Sequence, residues 1–201
     1  MFPLDVSTLT RHGHSSLDIL KACENFNQPL VAWDTTSVTD MAYMFGNAYK
    51  FDQPIGNWET GLVTTMQAMF ASDPSAGGTS STIFNQDITG WDTGSVQVMA
   101  GMFLNNNQFN QPIGSWSTSS VLDMDTMFFG ATSFDQPLSL WDGSLNSVQL
   151  MAGMFNGATA FNQDLSGWIV PNVVSCAGFS TGSGMTSGSP PNPNFPACNP
   201  A

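Results

Sequence analysis

Positive charge is what this chain has least of. Arg11, Lys21 and Lys50 stand against fifteen Asp and Glu, for a formal net charge of −12, and no Lys or Arg follows Lys50. Phosphate binding depends on cationic contacts that release counterions, so nucleic acid is excluded as a partner. Docking to anionic membrane surfaces fails for the same reason. Charged residues of both signs make up 9% of the chain, where a soluble protein has about 25%. No apolar run approaches the roughly 18 residues of a membrane span, so membrane insertion is not expected. Three cysteines cannot build a disulfide framework. No Asn-x-Ser/Thr acceptor occurs, and residues 1–6 have neither the charged start nor the apolar centre of a secretion signal. A hydrophobic content of 41% nevertheless argues against wholesale disorder.

What is present is a repeat. The string Phe-[Asn/Asp]-Gln-[Pro/Asp]-[Ile/Leu]-x-x-Trp begins at Phe26, Phe51, Phe84, Phe109, Phe134 and Phe161, and it takes up all six tryptophans. Five of these units continue as Val-x-x-Met-x-x-Met-Phe, from Val38, Val63, Val96, Val121 and Val148, which takes up ten of the twelve methionines. The basic period is 25 residues. An eight-residue insertion within a Gly/Ser-rich loop, residues 72–82, and a two-residue insertion carrying Gly143 and Asn146 account for the longer spacings. Before Phe26, Ile19, Leu20 and Cys23 keep the register of a half repeat; after Phe161, Val173 keeps it, with Cys176 and Phe179 in place of the two methionines. The sequence thus divides into a divergent N-terminal half repeat or cap (1–25), six repeats (26–179) and an irregular Gly/Ser/Pro-rich tail (180–201).

One 25-residue unit cannot offset its own ordering entropy with the few apolar side chains it carries. Stacking must close both sides of each apolar layer. Val, Met and Met at i, i+3 and i+6 predict a short helix or 3-10 turn. The Ser37/Asp40 and Ser120/Asp123 pairs have the form of helix starts, and Gly46, Gly130 and Gly157 lie where such a helix stops. The segment from Pro or Asp to Trp predicts a short strand, since proline is tolerated at a strand's first residue. The expected fold is an α/β solenoid: a leucine-rich-repeat-like, right-handed stack of about six coils, each with one short parallel strand and one short helix or 3-10 turn.

These units resemble the BspA-like leucine-rich-repeat surface proteins, in the 25-residue variant found in mycoplasma lipoproteins and in bacterial and marine protist surface proteins. The resemblance spans Ile19 to Phe179. It implies a solenoid displayed at the cell surface or outside the cell, and it implies no particular ligand. In this chain Pro often replaces the Asp that follows Gln in that pattern.

Several columns invite a chemical reading. Gln28, Gln53, Gln86, Gln111, Gln136 and Gln163 are expected to form a hydrogen-bonded amide ladder between adjacent coils, with a recognition stripe as the alternative. Asp34, Glu59, Asp92 and Asp142, with the Asn/Asp column starting at Asn27, read as turn caps, with calcium ligation as the rival. Thr35, Thr60, Thr93 and Thr118 recur as an ice-binding face would require, but they form a single column, which reads as ordinary turn residues. His12 and His14 lack further zinc ligands nearby in sequence. No nucleophile elbow occurs, and no catalytic, cofactor or metal residues are assigned. Cys176 and Cys198 are the candidate disulfide, tying the tail over the last coil and leaving Cys23 unpaired. The expected function is non-enzymatic: adhesion or recognition of an unknown protein or glycan ligand at the cell surface. A self-assembling structural module is the alternative, and a hydrolase a remote one.

Overall fold

The computed structural model describes residues 20, 23–72, 81–185 and 192–200. Most of the expected half repeat, including His12, His14 and Ile19, lies outside the described residues, as do residues 73–80 of the insertion and 186–191 of the tail. The six units are numbered coils 1 to 6, starting at Phe26, Phe51, Phe84, Phe109, Phe134 and Phe161.

Successive coils pair in parallel through single bridges: Asp40 to Thr65, Thr65 to Val98, Val98 to Asp123, Asp123 to Leu150 and Leu150 to Ser175. These bridges adjoin the methionine segment, and the expected assignment within each coil is therefore corrected. No helix forms at Val-x-x-Met-x-x-Met among the described residues, and no strand runs from Pro or Asp to Trp. In coils 4 and 5 the tryptophan segment instead holds short 3-10 turns, Ile113–Ser115 and Ser139–Trp141.

The reason lies in the third residue of each Met-x-x-Met. Tyr43, Ala68, Gly101, Thr126, Gly153 and Gly178 all have φ between 49° and 66°. A left-handed residue cannot continue a right-handed helix. It closes a four-residue turn instead, as in Met44 N–H to Met41 O at 3.4 Å and Met102 N–H to Met99 O at 3.1 Å. A left-handed third residue after a residue of negative φ is the signature of a type II turn. Between turns, alternate N–H groups point to the next coil. Met41, Tyr43, Phe45 and Asn47 donate to Thr65, Gln67, Met69 and Ala71. The same four-rung ladder recurs at the next interface, where Ser72 closes it on Leu104. The long insertion leaves only after that last rung, so it does not break the ladder.

Ser37 and Ser120 do not start helices. Asp40 and Asp123 cap turns two residues on, at Ala42 and Asp125. Gly130 and Gly157 occupy a second left-handed column, with φ of 66° and 71°.

Side chains on the other side of this backbone make the core. Every Val, Met and Phe of coils 2 to 5 in the Val-x-x-Met-x-x-Met-Phe pattern is at most 1% exposed. The two phenylalanine columns interleave: Phe45 lies 3.8 Å from Phe51 and 5.5 Å from Phe70, ring centre to ring centre, nearly parallel to both. Tryptophans stack along Trp33, Trp58, Trp91 and Trp116 at 6.0–6.5 Å. No ring contact joins Trp116 to Trp141, and the two-residue insertion follows Trp141; the row resumes with Trp168 at 5.8 Å. Trp91, Trp116 and Trp168 donate their indole N–H to Ile55, Ile88 and Leu138 carbonyls of the preceding coil.

Candidate functional site

The polar columns lie along the edges of this stack. The glutamines do join adjacent coils, but not as a ladder of glutamines. Each described Gln bond reaches the Asn or Asp of the coil before it: Gln53 to Asn27, Gln111 to Asn85, Gln136 to Asn110 and Gln163 to Asp135. The same carboxyl or amide oxygen also accepts the backbone N–H of the Asn or Asp one coil on, as Asn27 does from Asp52. A half-buried Gln pairs with an oxygen already fixed by the backbone, at lower entropic cost than with another mobile amide. Gln28 and Gln86 make no such donor bond among the described residues.

The threonine column is buried. Thr35, Thr60, Thr93 and Thr118 are at most 3% exposed, which removes the ice-binding face. Their hydroxyls connect coils: Thr60 and Thr93 donate to the Asp92 and Ser117 carbonyls, and Thr35 accepts the Glu59 N–H. In the acidic column Asp34 and Asp92 cap local turns, at Thr36 and Gly94. Asp34 accepts the N–H and hydroxyl of Thr36, and those bonds hold its carboxyl below the ordinary value. Asp87 with Thr89 and Asp164 with Ser166 behave in the same way. Among the described residues no three His, Cys, Asp or Glu side chains form a group that could hold a metal ion.

Cys176 and Cys198 form a disulfide with their Cα atoms 6.0 Å apart. The chain end then runs beside the last coil. Gly178 donates to the Pro200 carbonyl, and Phe195 meets Phe179 edge-on at 5.0 Å. Cys23 is an exposed free thiol.

One concave surface was not marked by any motif. It lies on the ladder face across coils 1 to 4, with a volume of about 330 Å³. Tyr43, Asn47, Gln67 and Thr126 supply its polar side chains, over a floor containing Ala68, Ala100 and Gly101. The floor is low because left-handed positions favour residues with little or no side chain. The second residue of each Met-x-x-Met turn exposes an N–H that the repeat treats in different ways. In coils 1, 2 and 4 the side chain two residues before accepts it: Asp40 for Ala42, Thr65 for Gln67 and Asp123 for Asp125. In coil 5 that position is Leu150, and Asp125 of coil 4 reaches across to the Ala152 N–H. Burial pushes the Asp125 carboxyl up, against the pull of that bond, and Asp123 adds to the rise. In coil 3 the position is Val98, which has no acceptor. The Ala100 N–H finds none among the described residues, and neither does the amide of Gln67 above it. In sequence, the column Asp40, Thr65, Val98, Asp123, Leu150 and Ser175 shows only that Val98 and Leu150 bring no side-chain acceptor, which does not by itself mark the spot.

The model of the family described as Mycoplasma protein of unknown function, DUF285, matches residues 11–77 and 76–187. The chain belongs to this family. The matched residues run from the N-terminal half repeat through all six coils. No curated protein matches the chain, and no solved structure does. Among the described residues no helix is long and apolar enough to cross a membrane.

Proposed function

We propose that this DUF285 member is a non-enzymatic surface or extracellular protein of BspA-like type, a right-handed, leucine-rich-repeat-like solenoid that recognises a protein or glycan. One observation carries the reading. The inward columns hardly vary from coil to coil, while the outward columns on the ladder face vary freely. Between the constant methionines stand Ala42-Tyr43, Gln67-Ala68, Ala100-Gly101, Asp125-Thr126 and Ala152-Gly153. A constant core under a variable face is the organisation of a display scaffold, and repeat folds use such broad faces for binding. The test is adhesion of cells and matrix proteins to the immobilised full chain, with a glycan array beside it. Saturable capture competed by soluble protein supports the reading; no capture by any of them removes it.

Self-assembly is the second reading. Phe26 and Trp33 are half-buried, and among the described residues each stacks on a ring of coil 2 alone. Light scattering across concentration separates the two, since assembly requires association without any ligand.

A further inference from the structure

We infer that the cavity on the ladder face is a binding site for a neutral saccharide; this rests on the recognition reading above and names its ligand class. Ala100 offers a backbone N–H with no acceptor among the described residues, and Gln67 offers an amide with no partner there, both within one cavity of about 330 Å³. Four other coils show what that N–H takes when it can: the side-chain oxygen of Asp40, Thr65, Asp123 or Asp125; in coil 6 the exposed Ala177 N–H has no acceptor among the described residues either, but Ala177 does not line the cavity. Coil 3 is built with Val98 instead, so the oxygen has to come from outside.

The chemistry of the walls narrows the source. An anionic ligand would find no counter-charge in the lining, which holds no Lys or Arg, and Asp123 and Asp125 precede the lining residue Thr126. A lysine or arginine side chain would suit the acidic surroundings, but it has no acceptor to offer an N–H. Addition of a peptide strand needs a row of free backbone groups, and the ladder N–H groups of Met66, Ala68 and Phe70 are already committed to coil 3. A sugar hydroxyl both donates and accepts, and so serves the Ala100 N–H and the Gln67 amide together. Tyr43 lines the cavity in coil 1 and Thr126 in coil 4; the Thr126 hydroxyl donates to the Asp125 carbonyl and keeps lone pairs that can accept from a sugar hydroxyl. The floor of Ala68 and Gly101 lets a flat ring approach the backbone.

The test is a titration of the full, ¹⁵N-labelled chain with chitotriose, cellotriose and maltotriose, following the Ala100 backbone amide and the Gln67 side-chain amide. At least one trisaccharide should shift both, saturably, in the millimolar range. Val98→Asp gives coil 3 the internal cap used in coils 1 and 4, so it should weaken that binding by about tenfold or more while leaving the dispersed spectrum intact. Gln67→Ala, on the ladder face, should weaken it while leaving the Ala100 N–H uncapped as in the parent. If none of the three sugars moves the Ala100 amide, the inference is overturned. It is also overturned if both variants bind as the parent does, or if a lysine-rich peptide moves Ala100 where sugars do not. Adhesion of the Val98→Asp chain separates the two levels. Adhesion that survives while sugar binding is lost leaves the recognition reading standing at another site.

Discussion

The carboxylate of Asp125 accepts the backbone N–H of Ala152, 27 residues further along the chain and one coil down the stack. It does so because Leu150 cannot cap the turn in its own coil. The cost is a charge that is partly withdrawn from water and next to Asp123, and its carboxyl titrates above the ordinary value for both reasons, burial first. A carboxyl with a raised folded-state pKa holds more protons folded than unfolded. Its contribution to stability is therefore most favourable below the unfolded value and is lost as pH rises through the folded one. Asp125→Asn keeps an oxygen for Ala152 and removes the charge. At neutral pH it should leave stability unchanged or raise it by less than about 1 kcal/mol, because solvent still screens the exposed part of the group. The gain should vanish at pH 3. Urea melts at both pH values decide it; a loss at neutral pH would show that the charge itself holds the bond.

Asp34, Asp87 and Asp164 titrate in the opposite sense. Their contributions are present above the ordinary carboxyl value and are lost as pH falls through the lowered one, so they weaken the stack on the acid side.

The tryptophan row gives a second prediction. Trp91 has Trp58 on one face and Trp116 on the other, while Trp33 has only Trp58 among the described residues. Trp91→Ala should cost about 3–5 kcal/mol, the range for removing a large buried ring. Trp33→Ala should cost less, because its ring is half-buried and supported on one side. Denaturant midpoints of the two variants test this; equal losses would contradict a stack held by nearest neighbours.

The inward columns were legible in the sequence, and the backbone that carries them was not. Phe51, Met66, Met69 and Phe70 recur because each closes a layer, and a stack of like layers requires large apolar residues at a fixed period. The i, i+3, i+6 spacing of Val63, Met66 and Met69 fits a helix equally well, and periodicity alone cannot separate that from a run of turns. The separating signal was present in Gly101, Gly153 and Gly178, which fall at one position of the supposed helix, where a glycine column marks positive φ. Thr60 and Thr93 misled for a different reason. A regular polar column reads as a surface, yet here each hydroxyl satisfies a carbonyl of the next coil and is buried by doing so. The cavity was invisible because its defining feature is a missing cap at Val98.

The disulfide between Cys176 and Cys198 closes a loop with a sequence separation of 22 residues, for which loop-closure entropy gives about 3 kcal/mol. Its removal should act locally. In Cys198→Ser the Phe155 and Gly157 amides, bonded to Phe179 and Thr181, should exchange faster, while Met66 and Ala68 should be unchanged. Hydrogen exchange read residue by residue checks this. A uniform rise along all coils would mean that the stack opens as one unit.

Thr126 is a β-branched residue held at φ 55° where coils 3, 5 and 6 have glycine. A left-handed conformation costs a residue with a Cβ roughly 1–2 kcal/mol. Thr126→Gly should relieve it, less the backbone entropy that glycine adds to the unfolded chain. The net gain should be under about 1 kcal/mol. Gly153→Thr, at φ 59° in the next coil, should do the reverse and cost more. Thermal midpoints of the pair test the assignment; a loss from both substitutions would mean that Thr126 is held by its contacts and not against its conformation.

Proline separates a capped turn from an uncapped one. It is favoured at the second residue of a type II turn, where its fixed φ suits the backbone and its missing N–H matters only if that N–H was bonded. Ala100 in coil 3 and Ala152 in coil 5 hold this position, each followed by a left-handed glycine, Gly101 or Gly153. Of the two, Ala152 alone has its N–H bonded among the described residues, to Asp125. Ala100→Pro should therefore stabilise the chain by about 0.4–1 kcal/mol, by restricting the unfolded state. Ala152→Pro should destabilise it by about 1–3 kcal/mol, because the Asp125 carboxylate loses the donor that offsets its partial burial. The Asp125→Asn background adds a check: with the charge already gone, Ala152→Pro should cost less than it does in the parent chain. The same Ala100→Pro chain also lacks the donor proposed to hold a sugar hydroxyl. It should be the more stable protein and the weaker binder, a combination that a merely damaged fold cannot produce. Stabilisation at Ala152, or destabilisation at Ala100, would show that the two N–H groups are not distinguished by the cap and would remove the basis for the site.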